Sequence, residues 1–200
     1  MRFLVIGIKV NGLIIKLLKK MKKILCLAAV AMFCLSAHSQ VNWQKIELAG
    51  QTSLDGNTKM FLVDFSTSWC GWCKRMDKET FSRPEVWKIM NRYFIPVHFD
   101  AESKAPFKWN GKEFVNSGKK GPHDYTKAVL GSQIGYPSIA IFNEKMQLVQ
   151  VQPGYMTPDE MVRFLCFFVN DNYKKYSYEK FVEYFDSNIY PEIKRELESE

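Results

Sequence analysis

The sequence predicts an α/β domain built on a central mixed β-sheet flanked by helices. Three observations carry that prediction. Met60 to Phe65 (MFLVDF) is a near-continuous apolar run, the pattern of a strand buried on both faces. Helix-start signals alternate with strand-like runs beyond it, as in strand–helix–strand units. Ser138 to Phe142 and Leu148 to Gln152, joined at Asn143-Glu144-Lys145, read as an antiparallel hairpin, so the sheet is not purely parallel.

The first strand leads through Ser66-Thr67-Ser68-Trp69 to Cys70, where a helix should start. Ser82-Arg83-Pro84-Glu85 has the form of a capping box with Pro in the first turn. The helix it opens places Val86, Ile89, Met90 and Tyr93 on one face. Ile95 to Phe99 returns as a strand, with Pro96 near its start. Residues 101–123 hold Gly111, Gly118, Gly121, Lys119-Lys120 and Pro122, the composition of a long surface loop. Asp124 is a candidate N-cap for a short helix ending at Gly131. Thr157-Pro158-Asp159-Glu160 is a second capping box, for a helix expected to run to about Asp171. That helix is apolar nearly all round, through Met161, Val162, Leu165, Cys166, Phe168 and Val169, which implies burial on more than one side. Tyr178, Phe181, Val182 and Phe185 supply a further covering helix from Ser177.

At 200 residues with 46% apolar content, the chain supports one globular domain with a sizeable core. The net charge of +7 is uneven. Residues 1–39 hold Arg2, Lys9, Lys16, Lys19, Lys20, Lys22 and Lys23 and no acid, so seven of the 28 cations lie there. The remaining 21 face 21 acids over residues 40–200. A neutral folded part has no electrostatic footprint for nucleic acid.

The basic start reads as a targeting segment, 1–39. Met21-Lys22-Lys23 is a positive n-region, Ile24 to Leu35 is an apolar run of twelve, and Ala37 and Ser39 are small at the cleavage positions. That makes Gln40 the expected mature start and Met21 the expected translation start, with Asn11, Lys9 and Lys16 interrupting the apolar stretch upstream. A spanning helix needs about 20 apolar residues, so no stable membrane insertion is expected. Bulky Phe33 before Cys34 and Leu25 before Cys26 disfavour a lipid anchor. Periplasmic or otherwise exported placement implies an oxidising compartment. The expected division is then a domain at 40–172 and a helical C-terminal extension at 173–200.

Cys70, Cys73 and Cys166 remain in the mature chain, too few for a disulfide framework. A C-x-x-C pair serves haem attachment, metal binding, a structural disulfide or redox chemistry. Haem attachment requires His after the second Cys, where Lys74 stands. Zinc needs two further ligands, and Cys166, His98 and His123 lack the spacing. A loop of two residues closes little chain entropy, so a purely structural disulfide gains little. Redox chemistry is the expectation, with no metal or cofactor. A helix N-terminus stabilises a thiolate, which assigns Cys70, with an exposed sulfur, as nucleophile. Cys73, one turn in, is placed to resolve the mixed disulfide. Lys74 and Arg75 either add positive potential or form a solvated helix face. Gly71 admits close approach of a partner backbone, and Trp69 and Trp72 offer apolar contact surface.

At these residues the sequence resembles the thioredoxin superfamily. Val63-Asp64-Phe65 followed by Trp69-Cys70-Gly71-Trp72-Cys73-Lys74 is similar to its active-site strand and helix start. Gly135-Tyr136-Pro137-Ser138 is similar to its cis-proline loop. Glu79-Thr80-Phe81 and Pro84-Glu85-Val86 add a likeness to exported thiol:disulfide interchange proteins. The resemblance covers residues 58–170, with an insertion at 101–123. It implies a thioredoxin-like fold in which Asp64 is the buried acid shuttling a proton for the second cysteine. It also implies that Pro137 is the cis-proline and that the Tyr136 backbone pairs with an extended substrate. Trp72 departs from the usual Pro between the cysteines, and Pro96 stands roughly where the family has a buried Lys. Cys166 reads as a core thiol, and His98 and His123 as surface or core residues.

The resulting expectation is an exported thiol–disulfide oxidoreductase that reduces protein or peptide disulfides and is recharged by an upstream thiol donor. A disulfide isomerase or oxidase of the same fold, or a non-catalytic binding module, are the alternatives.

Overall fold

The computed structural model describes residues 20–22, 40–54, 56, 58–118, 120–132 and 134–199. Residues 20–22 form a helical turn, and residues 40–200 are a compact unit by themselves. The rest of the expected targeting segment lies outside the described residues. No helix among the described residues is long and apolar enough to cross a membrane.

The described strands are β1 (Met60–Ser66), β2 (Phe94–Asp100), β3 (Phe107–Trp109), β4 (Lys112–Phe114), β5 (Ser138–Phe142) and β6 (Leu148–Pro153). The main sheet has the order β2-β1-β5-β6, with β1 parallel to β2 and both other pairings antiparallel. Successive side chains of a strand point to opposite faces, and the two core clusters divide accordingly. Leu62, Ile139 and Ile141 enter one cluster, with Met76, Phe81, Ile89 and Leu165. Phe61, Val63, Phe65, Ala140 and Phe142 enter the other, with Ile46, Phe107, Trp109 and Tyr125. Burial on both sides explains why MFLVDF shows no apolar–polar alternation.

Eight α-helices are described: α1 (Ile46–Leu54), α2 (Gly71–Met76), α3 (Pro84–Tyr93), α4 (Asp124–Leu130), α5 (Pro158–Phe168), α6 (Asn172–Lys175), α7 (Tyr178–Tyr184) and α8 (Tyr190–Glu198). α2 continues through a wider π-helical turn, Asp77–Phe81. The Thr157 capping box forms as expected: Thr157 accepts from the Glu160 N–H, and Glu160 accepts from the Thr157 N–H.

Several local expectations are corrected. Arg83, not Ser82, precedes α3; its backbone is extended, as a residue before proline prefers. The Ser82 hydroxyl instead donates to the Lys78 carbonyl at 2.6 Å. His123, not Asp124, caps α4, its Nδ1 accepting from the Tyr125 N–H at 3.1 Å. The segment at 101–123 is not all loop, because β3 and β4 pair within it. Phe107 and Trp109 there are buried against Tyr125 of α4, so the insertion caps one face of the sheet. α5 ends at Phe168 rather than near Asp171, since Asn170 and Asp171 take positive φ of 52° and 60°. Asn and Asp tolerate that region best among residues with side chains. α1 has no counterpart in the sequence expectations. The segment from α7 onward packs Phe181, Phe185, Ile189 and Ile193 into the same cluster as Met90 and Leu165, and Tyr93 donates to Glu196 across it.

Candidate functional site

β1 delivers the chain to the C-terminal edge of the sheet, and α2 starts directly beyond it. Cys70 is the N-cap residue of α2, with extended backbone, and its Sγ accepts the N–H of Cys73 at 3.0 Å. One turn separates the two, and they are joined in a disulfide with a Cα–Cα distance of 5.3 Å. Each cysteine is only 4% exposed, which corrects the expectation of an exposed Cys70 sulfur. The Cys70 N–H is tied back to the Thr67 carbonyl at 3.1 Å, which draws the residue inward. Among the described residues no His, Cys, Asp and Glu grouping is arranged to hold a metal.

Aromatic rings rim this disulfide. Trp69 is 64% and Trp72 55% exposed, an unusual amount of apolar surface for neighbouring positions. The Trp69 indole N–H donates to Glu102 at 3.2 Å, and its ring meets Tyr136 edge-on at 5.9 Å. Trp72 lies 5.6 Å from the Tyr155 ring, with the Arg75 guanidinium 5.3 Å and 5.4 Å from the two ring centres. Arg75 is paired with Glu79 at 2.8 Å, and Glu79 also accepts from the Tyr155 hydroxyl at 3.1 Å. Arg75 therefore belongs to a solvated face, its charge locally balanced. A Cβ on Gly71 would meet nothing within 4 Å, so nothing inside the chain demands glycine there.

Next to Tyr136, whose ring lies against Trp69, the Tyr136–Pro137 peptide bond is cis. The Pro137 carbonyl accepts the Gly154 N–H at 2.8 Å, and the Ser138 hydroxyl donates to the Gly135 carbonyl at 2.7 Å. These bonds fix the loop at the start of β5. Burial, then Glu102 and Asp100, push the Tyr136 phenol up to about 12.

Asp64 sits on the same face of β1 as Leu62, the face that α2 covers. It is 2% exposed, and burial raises its carboxyl above the ordinary range. Its register partner on β2 is His98, whose Nδ1 lies 3.0 Å from Asp64 Oδ2. Pro96 pairs instead with Leu62, so the residue facing the buried acid is His98, not Pro96. The sequence alone reads His98 as a surface or core residue with no part in the site. Its only signal is position: two residues beyond Pro96 on a strand of period two. Tyr155 and Glu102 were also missed, being remote in sequence from the cysteines. Cys166 is a fully buried thiol whose pKa burial pushes up to about 12, and His123 is a buried cap whose pKa burial lowers.

The family described as a thioredoxin-like domain matches residues 51–168. Solved structures similar to the chain include a thioredoxin-fold protein from Helicobacter pylori, at 17% identity and a TM-score of 0.47, covering 64% of this chain and 84% of that one. A thioredoxin from Thermus thermophilus is 16% identical with a TM-score of 0.45, covering 63% and 85%. The oxidised C-terminal domain of DsbD from Neisseria meningitidis is 20% identical with a TM-score of 0.39, covering 58% and 87%. No curated protein matches the chain's sequence.

Proposed function

The chain belongs to the thioredoxin-like domain family, and on that premise we propose that it is an exported thiol–disulfide oxidoreductase that reduces disulfides in proteins or peptides. The observation that carries the proposal is the Cys70–Cys73 disulfide at the start of α2, with the Cys73 N–H aimed at Cys70 Sγ. An N–H donor and a helix start favour the thiolate at Cys70 once the pair is reduced.

In the proposed cycle the Cys70 thiolate attacks a substrate disulfide, forming a mixed disulfide and expelling one substrate thiolate. Cys73 then loses its proton to Asp64 and attacks the Cys70 sulfur. The Cys70–Cys73 bond forms as the bond to substrate breaks, so the substrate leaves as two thiols. An upstream thiol donor returns the pair to its reduced form. Trp69, Trp72 and Tyr136 supply the apolar surface for the partner, Gly71 admits its close approach, and the Tyr136 backbone before Pro137 is the pairing edge for an extended strand. No cofactor enters this cycle.

Purified full chain should catalyse insulin reduction by dithiothreitol, and Cys70→Ser should fall to the uncatalysed rate. Equal turnover by Cys70→Ser would remove the enzymatic reading and leave a binding module. Rapid oxidation of reduced peptides, with no insulin reduction, would reverse the direction instead. Export rests on the charge step at residue 40 and the short apolar run before it. Intact mass from the producing cell should show a species beginning at Gln40, and a chain retaining residues 1–39 would defeat that part of the proposal.

A further inference from the structure

A buried acid that takes a proton from a cysteine must also dispose of it. Asp64 has no solvent of its own at 2% exposure. Its two oxygens differ. Oδ2 is held by His98 Nδ1 at 3.0 Å, whereas Oδ1 is buried with no hydrogen-bond partner among the described residues. An unpaired buried carboxylate oxygen is costly. In the disulfide form the cysteines carry no proton, so neither donates to it.

His98 is a hydrogen-bonded route from this group outward. Its side chain is 42% exposed, and its second nitrogen, Nε2, lies 3.1 Å from Ser66 Oγ. The ring thus runs from the enclosed carboxylate to the hydroxyl of buried Ser66, with part of its own surface in solvent. The Trp43 ring packs edge-on against it at 5.6 Å, and its backbone N–H donates to the Gln44 carbonyl at 3.3 Å, so its orientation is fixed from a third element. The charged groups acting on it are Asp64 on β1, Asp77 in the turn after α2 and Asp100 on β2 itself. Asp77 follows Cys73 by four residues, one helical turn, which brings the same face of that segment toward both Asp64 and His98.

We propose that His98 couples Asp64 to solvent: as the Cys73 proton enters the carboxyl group at Oδ1, a proton leaves the imidazole from Nε2. The coupling rests on the reading of Asp64 as the acid serving Cys73. Nδ1–H donates to Oδ2 throughout, which fixes the ring. Before resolution the pair is a carboxylate beside an imidazolium. Cys73 gives its proton to Asp64, the carboxylate charge disappears, and the imidazolium loses the partner that stabilised it. It releases one proton to water and becomes neutral. On re-reduction the Cys73 thiolate recovers a proton from Asp64, the carboxylate returns, and Nε2 takes a proton from water. Each half-cycle moves one proton between solvent and Cys73 without leaving a net charge on the buried pair. The electrostatics run the same way: the bond from Asp64, then the charges of Asp64, Asp77 and Asp100, hold the imidazolium above its usual range against the opposing effect of burial. His98 is on this account a positioning residue, acting through Asp64 and not on substrate.

The test uses the full chain and a preformed mixed disulfide on Cys70, with resolution followed by stopped flow from pH 5 to 9. His98→Gln keeps an N–H toward Oδ2 but cannot titrate. It should slow resolution on the order of ten-fold near pH 7, below the roughly 10²–10⁴ of a complete acid–base group, and lose the profile's step near neutrality, with KM for insulin unchanged. Imidazole added to His98→Ala should restore part of the rate. A His98→Gln profile superimposable on wild type overturns the proposal, as does an NMR midpoint for the wild-type His98 ring below the usual 6.5 in the dithiol form. Asp64→Asn separates the two readings. If it resolves at the wild-type rate, the role of Asp64 falls and His98 with it; if it is slow while His98→Gln is not, only the coupling falls.

Discussion

Cys73→Ser should accumulate a covalent complex with its protein substrate, while Cys70→Ser should trap nothing. The asymmetry follows from where α2 begins. Cys70 is its N-cap and receives the Cys73 N–H at 3.0 Å, a contact that stabilises negative charge on Sγ. Cys73 is one turn further in and covered by the helix. With Ser at 73, the first exchange still occurs, and the mixed disulfide has no internal thiol to break it. Non-reducing electrophoresis of the full chain after reaction with a disulfide-bonded protein should show a band near the summed mass for Cys73→Ser alone. Both variants should lose turnover to the uncatalysed rate. Equal trapping by the two variants, or faster alkylation of Cys73 than of Cys70 in the reduced protein, would falsify the assignment.

Much of this arrangement is legible in the chain because its signals are local. The apolar run before the cysteines, the Thr157 capping box and the hairpin at Asn143 each depend on a few neighbouring residues. They form where the sequence places them. Where a short polar side chain had two partners within reach, local reading chose wrongly. Ser82 bonds back to Lys78 and not into α3, and Asp124 bonds to Ser117 while His123 caps α4. The hairpin of β3 and β4 was hidden because its glycines and lysines read as loop. What stabilises it is the contact of Phe107 and Trp109 with residues from other elements, which no window of sequence contains.

The site divides along the same line. The two cysteines, their flanking tryptophans and the strand acid lie within ten residues of one another and are read directly. His98 lies 34 residues after Asp64, and only the parallel register of β1 and β2 puts them opposite. Register is a tertiary fact: shifting β2 by one residue would turn His98 to the other face. Tyr155 and Glu102 reach the tryptophans by the same kind of long-range pairing.

Asp64→Val should make the folded chain more stable while impairing resolution by Cys73. A charge enclosed at 2% exposure loses its hydration, and the His98 bond returns only part of that loss. Val suits a buried strand and is of similar bulk, and His98, 42% exposed, stays solvated when its partner is removed. Replacing a whole buried ion pair with apolar residues is neutral to stabilising by about 1–4 kcal/mol. Because the partner left here is partly solvated, the low end, about 1 kcal/mol, is expected, and each kcal/mol raises Tm by roughly 2–4 °C in a domain of this size. The pH dependence identifies the cause. The folded Asp64 pKa lies above its ordinary 3.8, and the folded His98 pKa lies above 6.5. A raised pKa contributes stability below the unfolded value and loses it as pH climbs through the folded one. Both groups therefore favour the fold at low pH and lose that contribution as pH rises from about 4 to beyond 6.5. The Val variant, lacking the acid and its effect on His98, should show its full advantage at pH 8 and little at pH 4. His123, lowered by burial, runs in the opposite sense, but it is present in both proteins and cancels in the difference. Urea unfolding of the two full chains at pH 4, 6 and 8 measures that difference directly. A Val variant less stable than wild type at pH 8, or an advantage that does not grow with pH, would show that the buried carboxyl supports the fold instead of costing it stability.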